Sequence, residues 1–349
     1  MPAAALAPTL RWLILTDNRI EALPPELGHC NALQKLMLAG NRLTALPGTL
    51  AQCTQLELLR ISANQLSALP AWLLQLPRLS WLAFAGNPFT AQAEAQALAG
   101  AQRSSVPWTD VAVQEALGEG ASGVIHAGTW QRGHEALPVA IKLFKGDMTS
   151  DGLPRSELAA SLAAGTHPNL IGAHGLLLGA PEAREGLVMP RMDADCRALA
   201  GPPSLASCTR DVYPAGLTLT VDTALQLALG LASAASHLHA RGILHGDLYA
   251  HNTLWNGQAP CLLGDFGAAS FLPLAQSMSD QLMRLEVRAM GCLLQELSGL
   301  VNPEACQPAE LAALATAQAL AAQCMQPHVA ARPDMATVHQ QLQALRHAA

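Results

Sequence analysis

A strict period of 23 residues governs the amino-terminal quarter of this chain of 349 residues. The residues that recur at this interval are Leu10, Leu33, Leu56, Leu79 and Asn18, Asn41, Asn64, Asn87. A period of roughly 20 to 50 residues indicates a solenoid, because each unit can bury its apolar face only against its neighbours. Residues 1–90 are therefore predicted to stack into one elongated domain with a shared leucine core.

Each repeat follows the pattern L-x-x-L-x-L-x-x-N-x-L-x-x-L-P, which residues 33–47 show in full. The leucines are predicted to point into the core. Each asparagine is predicted to bond the backbone at the turn where a short strand bends away. This pattern resembles the leucine-rich repeat family, and three full repeats with a truncated fourth meet the minimum of about three that stacking requires.

The outward positions of the repeat strands form rows, because side chains alternate along a strand. The first two rows read Trp12, Lys35, Leu58, Trp81 and Ile14, Met37, Arg60, Ala83. Aromatic and large apolar side chains are enriched where proteins bind partners. We therefore expect Trp12, Met37, Leu58 and Trp81 to bind a protein partner or substrate. The alternative is that this concave face packs against the rest of the same chain.

Two acidic motifs stand at a fixed spacing in the second half of the chain. His245-Gly246-Asp247 is followed by Asn252, five residues after Asp247, and Asp265-Phe266-Gly267 begins thirteen residues later. Upstream, residues 118–124 spell G-x-G-x-x-G-V, and residues 139–142 spell Val-Ala-Ile-Lys. The β-rich residues around the glycines predict a hairpin that covers phosphates, and not the helix of a dinucleotide-binding fold. Together these motifs resemble the protein kinase family.

The two resemblances imply an α+β chain with an N-terminal leucine-rich repeat solenoid followed by a bilobal protein-kinase-like domain. The expected boundaries are repeats over 1–90, a cap and linker over 91–107, a small lobe over 108–192 and a large lobe over 193–349. An Ala/Gln-rich run that begins at Ala91 is expected to cap the solenoid. A helix over 217–241 is expected to lead into the catalytic loop, which we define as residues 245–252.

The resemblance to kinases also implies roles for individual residues, with ATP and Mg²⁺ as cofactors. Asp247 is the expected base, and Lys142 is expected to neutralise phosphate charge while Glu157 holds it; a solvated helix carboxylate is the alternative for Glu157. Asn252 and Asp265 are the expected Mg²⁺ ligands. Contacts to ATP are expected from Gly118, Gly120, Ser122, Gly123, Val124, Ala140, Lys142, Pro190 and Met192.

Several positions depart from the family pattern. Gly246 stands where kinases have Arg, so the cation that normally docks a phosphorylated activation segment is missing. Tyr249 and His251 match neither the serine/threonine nor the tyrosine pattern. No Ala-Pro-Glu occurs between Asp265 and the expected buried helix, so the peptide-docking loop is short. Arg332 lacks its usual carboxylate partner, unless the substitute is Glu286, Glu296 or Glu304.

Three functions follow from these observations. The favoured one is an ATP-dependent protein kinase acting on a protein hydroxyl, with Ser or Thr as the expected acceptor, and with the repeats recruiting a partner. The second is a small-molecule phosphotransferase of the antibiotic or choline kinase type, since His-Gly-Asp also occurs there. The third is a nucleotide-binding pseudokinase scaffold, which is disfavoured because Lys142, Asp247, Asn252 and Asp265 are all present.

The composition of the chain excludes nucleic acid and anionic lipid as expected partners. The net charge is −6 with 20 Lys and Arg, which leaves no basic patch for nucleic acid or anionic lipid.

The eight cysteines form no C-x-x-C pair, as expected in a reducing compartment. Neither a secretory signal nor a membrane-spanning stretch is recognisable, so a soluble cytoplasmic protein is expected. The Ala-rich, Lys-poor composition is typical of a high-GC bacterial genome.

Overall fold

The computed structural model describes residues 6–101, 104–146, 148–258, 260–272 and 276–348. Each repeat contributes one short parallel strand to a four-stranded sheet: β1 (Trp12–Ile14), β2 (Lys35–Met37), β3 (Leu58–Arg60) and β4 (Trp81–Ala83). The register aligns Trp12 with Lys35, Leu58 and Trp81. The rows predicted from the period of the sequence are therefore rows in space.

The repeats are held together by a leucine core and an asparagine ladder, as predicted. Leu33, Leu36 and Leu38 are fully buried. The side-chain amide of Asn41 donates to the carbonyl oxygens of Leu15 (2.8 Å) and Leu38 (2.9 Å). Such bonds satisfy backbone carbonyls that the bend of the chain would otherwise leave unpaired.

Helix α1 (Ala91–Ala101) follows the last repeat, and a six-stranded sheet begins soon after it. The strands of this sheet are β5 (Ser105–Pro107), β6 (Val111–Glu119), β7 (Gly123–Arg132), β8 (Glu135–Phe144), β9 (Gly175–Leu178) and β10 (Gly186–Pro190). Their order is β5-β9-β10-β8-β7-β6, and helix α2 (Pro154–Ala164) packs beside α1. Strand β5 lies inside the segment expected to be linker, yet it pairs with β9 of this sheet.

The remainder of the chain is mainly helical. The four long helices are α3 (Val221–Ala240), α4 (Gln276–Gly299), α5 (Pro308–Cys324) and α6 (Met335–Ala348). The short strands are β11 (Arg197–Ala198), β12 (Ile243–Leu244), β13 (Thr253–Trp255), β14 (Leu262–Leu263) and β15 (Ser270–Phe271). Helix α3 begins later than expected because the hydroxyl of Thr220 caps it, accepting the N–H of Thr223 at 3.1 Å. Within the described ranges, no helix is both long enough and apolar enough to cross a membrane.

The concave face of the repeats lies against the kinase-like domain. Trp81, Leu58 and Met37 are 1%, 3% and 7% exposed and belong to the same apolar cluster as α3 and α4 of the large lobe. The half-buried Trp12 contacts the thiol of Cys208 through its indole N–H. In this arrangement the row expected to recruit a partner is covered by the chain's own second domain, which is the alternative that the sequence left open.

Candidate active site

A buried ion pair connects the small-lobe sheet to helix α2. Strand β8 carries Lys142 and α2 carries Glu157, and the two side chains are in direct contact at 9% and 3% residue exposure. Glu157 is therefore not a solvated helix carboxylate. Burial raises the pKa of Glu157, and the Lys142 ammonium acts in the opposite direction. Both residues of the pair line a cavity, so the Lys142 ammonium is held at its wall.

This cavity has a volume of about 250 Å³ and lies between the glycine-rich hairpin and the 265–267 segment. The predicted site residues that line it are Gly120, Ser122, Gly123, Lys142, Glu157 and Asp265. The predicted residues that lie outside its lining are Gly118, Val124, Ala140, Pro190, Met192, Asn252 and Asp247. Pairing of β8 with β10 sets Ala140 opposite Met189, which does line the cavity.

The hairpin approaches β8 so closely that glycine is required at one position. A Cβ atom at Gly123 would lie 2.5 Å from the carbonyl oxygen of Leu143. By contrast, nothing lies within 4 Å of a Cβ at Gly118 or Gly120. Gly123 is thus explained by packing of the hairpin. Open space surrounds the other two, and at Gly120, which lines the cavity, a ligand can come close to the backbone.

The catalytic loop brings Asp247 and Asn252 together. The amide of Asn252 donates to the Asp247 carboxylate oxygen Oδ2 (2.8 Å) and to the Asp247 carbonyl oxygen (3.0 Å). The loop is anchored by Asp211, whose carboxylate accepts the N–H of Ala250 and bonds His251, both at 2.6 Å. Asp211 lies in no recognisable motif, so this role could not be predicted from the sequence.

The segment that follows β14 presents a second carboxylate. Asp265 is exposed and has a φ of +57°, and its carboxylate accepts the N–H of Gly267 at 3.1 Å. Phe266 is buried against the ring of His245, with 5.4 Å between ring centroids. The exposed carboxylate of Asp265 and the amide oxygen of Asn252 are hard oxygen donors of the kind Mg²⁺ takes alongside phosphate oxygens. The residues present therefore fit the expected ion.

Asp247 carries a second contact that sequence reasoning missed. Its oxygen Oδ1 pairs with the guanidinium of Arg60, which comes from repeat strand β3. Burial raises the pKa of Asp247, and the charge of Arg60 opposes that rise. The only signal in the sequence was the outward position of Arg60 in the second row of the repeats.

The partner of Arg332 differs from all three expected carboxylates. Its guanidinium donates to the carbonyl oxygens of Gln326 (2.8 Å), Arg284 (3.1 Å) and, in the repeats, Pro77 (2.9 Å). Glu286 instead accepts the N–H of Gly246 at 2.6 Å and bonds His239 at 2.7 Å. Burial acts to raise the pKa of Glu286, but these bonds and the nearby histidines hold it below its usual value.

Comparison with known proteins finds two matching families. The family described as protein tyrosine and serine/threonine kinase matches residues 111–293, and leucine rich repeat matches residues 8–66 and 31–89. Among curated relatives, Activated Cdc42 kinase-like of Drosophila melanogaster is 28% identical over 168 residues, which are 48% of this chain and 12% of the relative. Non-receptor tyrosine-protein kinase TNK1 of Homo sapiens is 29% identical over 176 residues, 48% of this chain and 24% of the relative. Cyclin-dependent kinase 11.1 of Caenorhabditis elegans is 29% identical over 154 residues, which are 43% of this chain and 20% of the relative. The chain thus spans less than a quarter of the length of each of these relatives.

Proposed function

Because the chain belongs to the protein tyrosine and serine/threonine kinase family, we propose that it transfers the γ-phosphate of ATP to a hydroxyl group of a protein. One observation carries the proposal. A buried Lys142–Glu157 pair and the exposed carboxylate of Asp265 meet at one cavity, and Asp247 is hydrogen-bonded to Asn252 in the catalytic loop. Phosphoryl transfer requires this combination of one fixed cation, oxygen ligands for a metal ion, and a carboxylate base.

In this proposal each residue has a separate task. Lys142 neutralises charge on the α- and β-phosphates, and Glu157 keeps its ammonium in place. Asp247 orients the attacking hydroxyl and accepts its proton. Asp265 and Asn252 supply oxygen ligands to Mg²⁺, which when bound offsets the charge of the phosphates. Most of the rate gain then comes from positioning and charge stabilisation, since little covalent chemistry falls to the protein.

The expected acceptor stays a Ser or Thr hydroxyl of a protein. Tyr249 and His251 occupy the positions at which kinases usually carry the residues that distinguish serine/threonine from tyrosine acceptors. The names of the relatives include a non-receptor tyrosine-protein kinase, so Tyr is the competing acceptor to test. Recruitment of a partner by Trp12, Met37, Leu58 and Trp81 requires that the repeats first separate from the kinase-like domain.

A small-molecule acceptor is the second candidate, and a specific observation favours it. The repeats cover the catalytic loop, where Trp81 stacks on Tyr249 with 4.4 Å between ring centroids. The Asp247 side chain is only 16% exposed. A folded protein substrate has less room to reach Asp247 here than a small alcohol has.

Incubation with γ-labelled ATP, alone and with cell lysate, tests both candidates. Label in protein, followed by phosphoamino-acid analysis, supports the kinase and identifies Ser, Thr or Tyr. Label confined to small molecules replaces it with the second candidate. Asp247→Asn is expected to keep ATP binding and lose most turnover, whereas Asp265→Ala is expected to weaken binding of ATP with Mg²⁺. Equal loss of ATP affinity in both variants contradicts the assigned roles.

A further inference from the structure

Arg60 reaches from repeat strand β3 into the catalytic loop. It is 1% exposed, and each nitrogen of its guanidinium has an acceptor in the kinase-like domain. Nε donates to the carboxylate of Asp151 (2.6 Å), Nη1 donates to the carbonyl oxygen of Gly246 (3.0 Å), and Nη2 contacts Oδ1 of Asp247. A planar fork with fixed donor directions suits three acceptors in this way, which a lysine ammonium does not reproduce.

The catalytic loop itself has no arginine or lysine to serve Asp247. Its residues run His245-Gly246-Asp247-Leu248-Tyr249-Ala250-His251-Asn252. The ring of His251 bonds Asp211 at 2.6 Å and lies 3.9 Å from Asp247. Arg60 is therefore the arginine in direct contact with the Asp247 carboxylate.

Gly246 shows why the loop lacks its own arginine. Its φ is +73°, and a Cβ atom there would lie 2.4 Å from the carbonyl oxygen of Ala268 and 2.9 Å from that of Leu82. The nearer oxygen belongs to the kinase-like domain itself and the farther one to repeat strand β4, so backbone from both domains occupies the place where a side chain at 246 would begin. The guanidinium of Arg60 lies beside this glycine, and its Nη1 donates to the Gly246 carbonyl oxygen.

Contacts on both sides of Asp247 hold the repeats in this position. The indole N–H of Trp81 donates to the carbonyl oxygen of Leu248 at 3.1 Å, and its ring stacks on Tyr249 within 8° of parallel. The N–H of Phe84 donates to the hydroxyl of Ser270 at 2.9 Å. Strands β3 and β4 therefore contact the catalytic loop at residues 246, 247, 248 and 249, which fixes Arg60 relative to Asp247.

We propose that Arg60 is a positioning residue for phosphoryl transfer, and that the repeats are a structural part of the catalytic centre. This inference rests on the proposed function. Asn252 holds one oxygen of the Asp247 carboxylate and Arg60 holds the other, so the plane of the carboxylate is fixed from two domains. Arg60 also ties Asp247 to Asp151, which lines the cavity that receives ATP. Arg60 thereby holds the Asp247 carboxylate at a fixed distance from the nucleotide site.

The test compares Arg60→Ala with Arg42→Ala in the full chain. Arg42 is a repeat arginine whose exposed side chain has its ion-pair partner, Glu21, at 3.9 Å within the same domain. We expect Arg60→Ala to lower kcat by about tenfold to a hundredfold, the order of loss that a misplaced catalytic group produces. The KM for ATP is expected to change much less, and Arg42→Ala is expected to match the wild type. A purely structural role lowers thermal stability without this split.

Combined variants show whether Arg60 acts through Asp247. Arg60→Ala together with Asp247→Asn is expected to be no slower than Asp247→Asn alone, because the two changes remove one function. If Arg60→Ala does not fold, Arg60→Lys takes its place, since it keeps a charge but loses the three-acceptor fork. Loss of kcat at constant KM for ATP in the Lys variant supports the proposal, and wild-type kcat overturns it.

The outcomes separate this inference from the proposed function. Absence of transfer by the wild type to protein or small molecules overturns the proposed function. An active wild type with an equally active Arg60→Ala variant overturns only the role of Arg60. A rise in kcat in Arg60→Ala also overturns it, because Arg60 would then obstruct Asp247 and not position it.

Discussion

The contact between the repeats and the catalytic loop can be tested at a single glycine. A Cβ atom at Gly246 meets two backbone carbonyl oxygens at 2.4 and 2.9 Å, one of them from Leu82 in the repeats. The left-handed conformation of this residue costs a non-glycine residue about 1–2 kcal/mol. Relief of overlap in a packed site adds about 1–3 kcal/mol. Gly246→Ala is therefore expected to lower the free energy of unfolding by about 2–5 kcal/mol.

Gly242 offers a matched control. It has nearly the same φ, +70°, but nothing lies within 4 Å of a Cβ built there. Gly242→Ala should carry the conformational cost alone, about 1–2 kcal/mol. Urea denaturation followed by tryptophan fluorescence measures both variants. If Gly246→Ala is no more destabilising than Gly242→Ala, the close approach of the repeats to the catalytic loop is refuted.

Three more measurements bear on the same structure. Trp81→Ala should lower the free energy of unfolding by about 3–5 kcal/mol, because a buried, stacked indole is lost; a loss below about 1 kcal/mol would mean that this face is solvated. Burial raises the pKa of Glu296 from 4.5 to about 7, so the folded protein binds this proton more tightly than the unfolded chain does. Its stabilising contribution is complete below about pH 4.5 and is lost as the pH rises through about 7, an effect of roughly 3 kcal/mol; the fall in melting temperature across this range should be smaller in Glu296→Gln than in the wild type, and equal slopes would contradict the assignment. Finally, phosphatase treatment, or Ser277→Ala with Ser279→Ala, should leave kcat unchanged, because Gly246 has no side chain to dock a phosphate and the guanidinium of Arg60 beside it is already bound to Asp151 and Asp247; a tenfold drop, about 1.4 kcal/mol of barrier, would contradict this.

The features of the fold that could be predicted from the sequence are those that depend on contacts within one domain. The asparagine ladder that includes Asn41 and the buried leucines recur every 23 residues, because each repeat buries the same apolar positions and pairs the same backbone carbonyl groups. The Lys142–Glu157 contact was predictable for a different reason. The resemblance to kinases implied this pair, because Lys142 lies in the Val-Ala-Ile-Lys motif and Glu157 lies in the helical segment that follows it.

Docking of the two domains could not be predicted in the same way. An outward-facing residue of a repeat strand has the same sequence pattern whether it meets solvent, another protein or its own chain. Arg60 and Trp81 could therefore be placed in rows, but the surface facing those rows was unknown. The partner of Arg332 was missed for the same reason, since one of its acceptors is the carbonyl oxygen of Pro77 in the other domain.

Burial of charge across this junction bears on whether the concave face can also recruit a partner. Arg60 is 1% exposed and is balanced by Asp151 and Asp247, so separation of the domains breaks a buried charge network. Removing one charge from such a network and leaving the others buried costs roughly 3–5 kcal/mol. When the two domains separate, water hydrates the exposed charges and offsets part of this cost. Arg288 adds a second buried link, donating to the hydroxyl of Ser80 at 2.7 Å. A partner that binds this face must therefore supply binding free energy beyond what these contacts already provide, and a partner that did so would remove Arg60 from the catalytic loop at the same time.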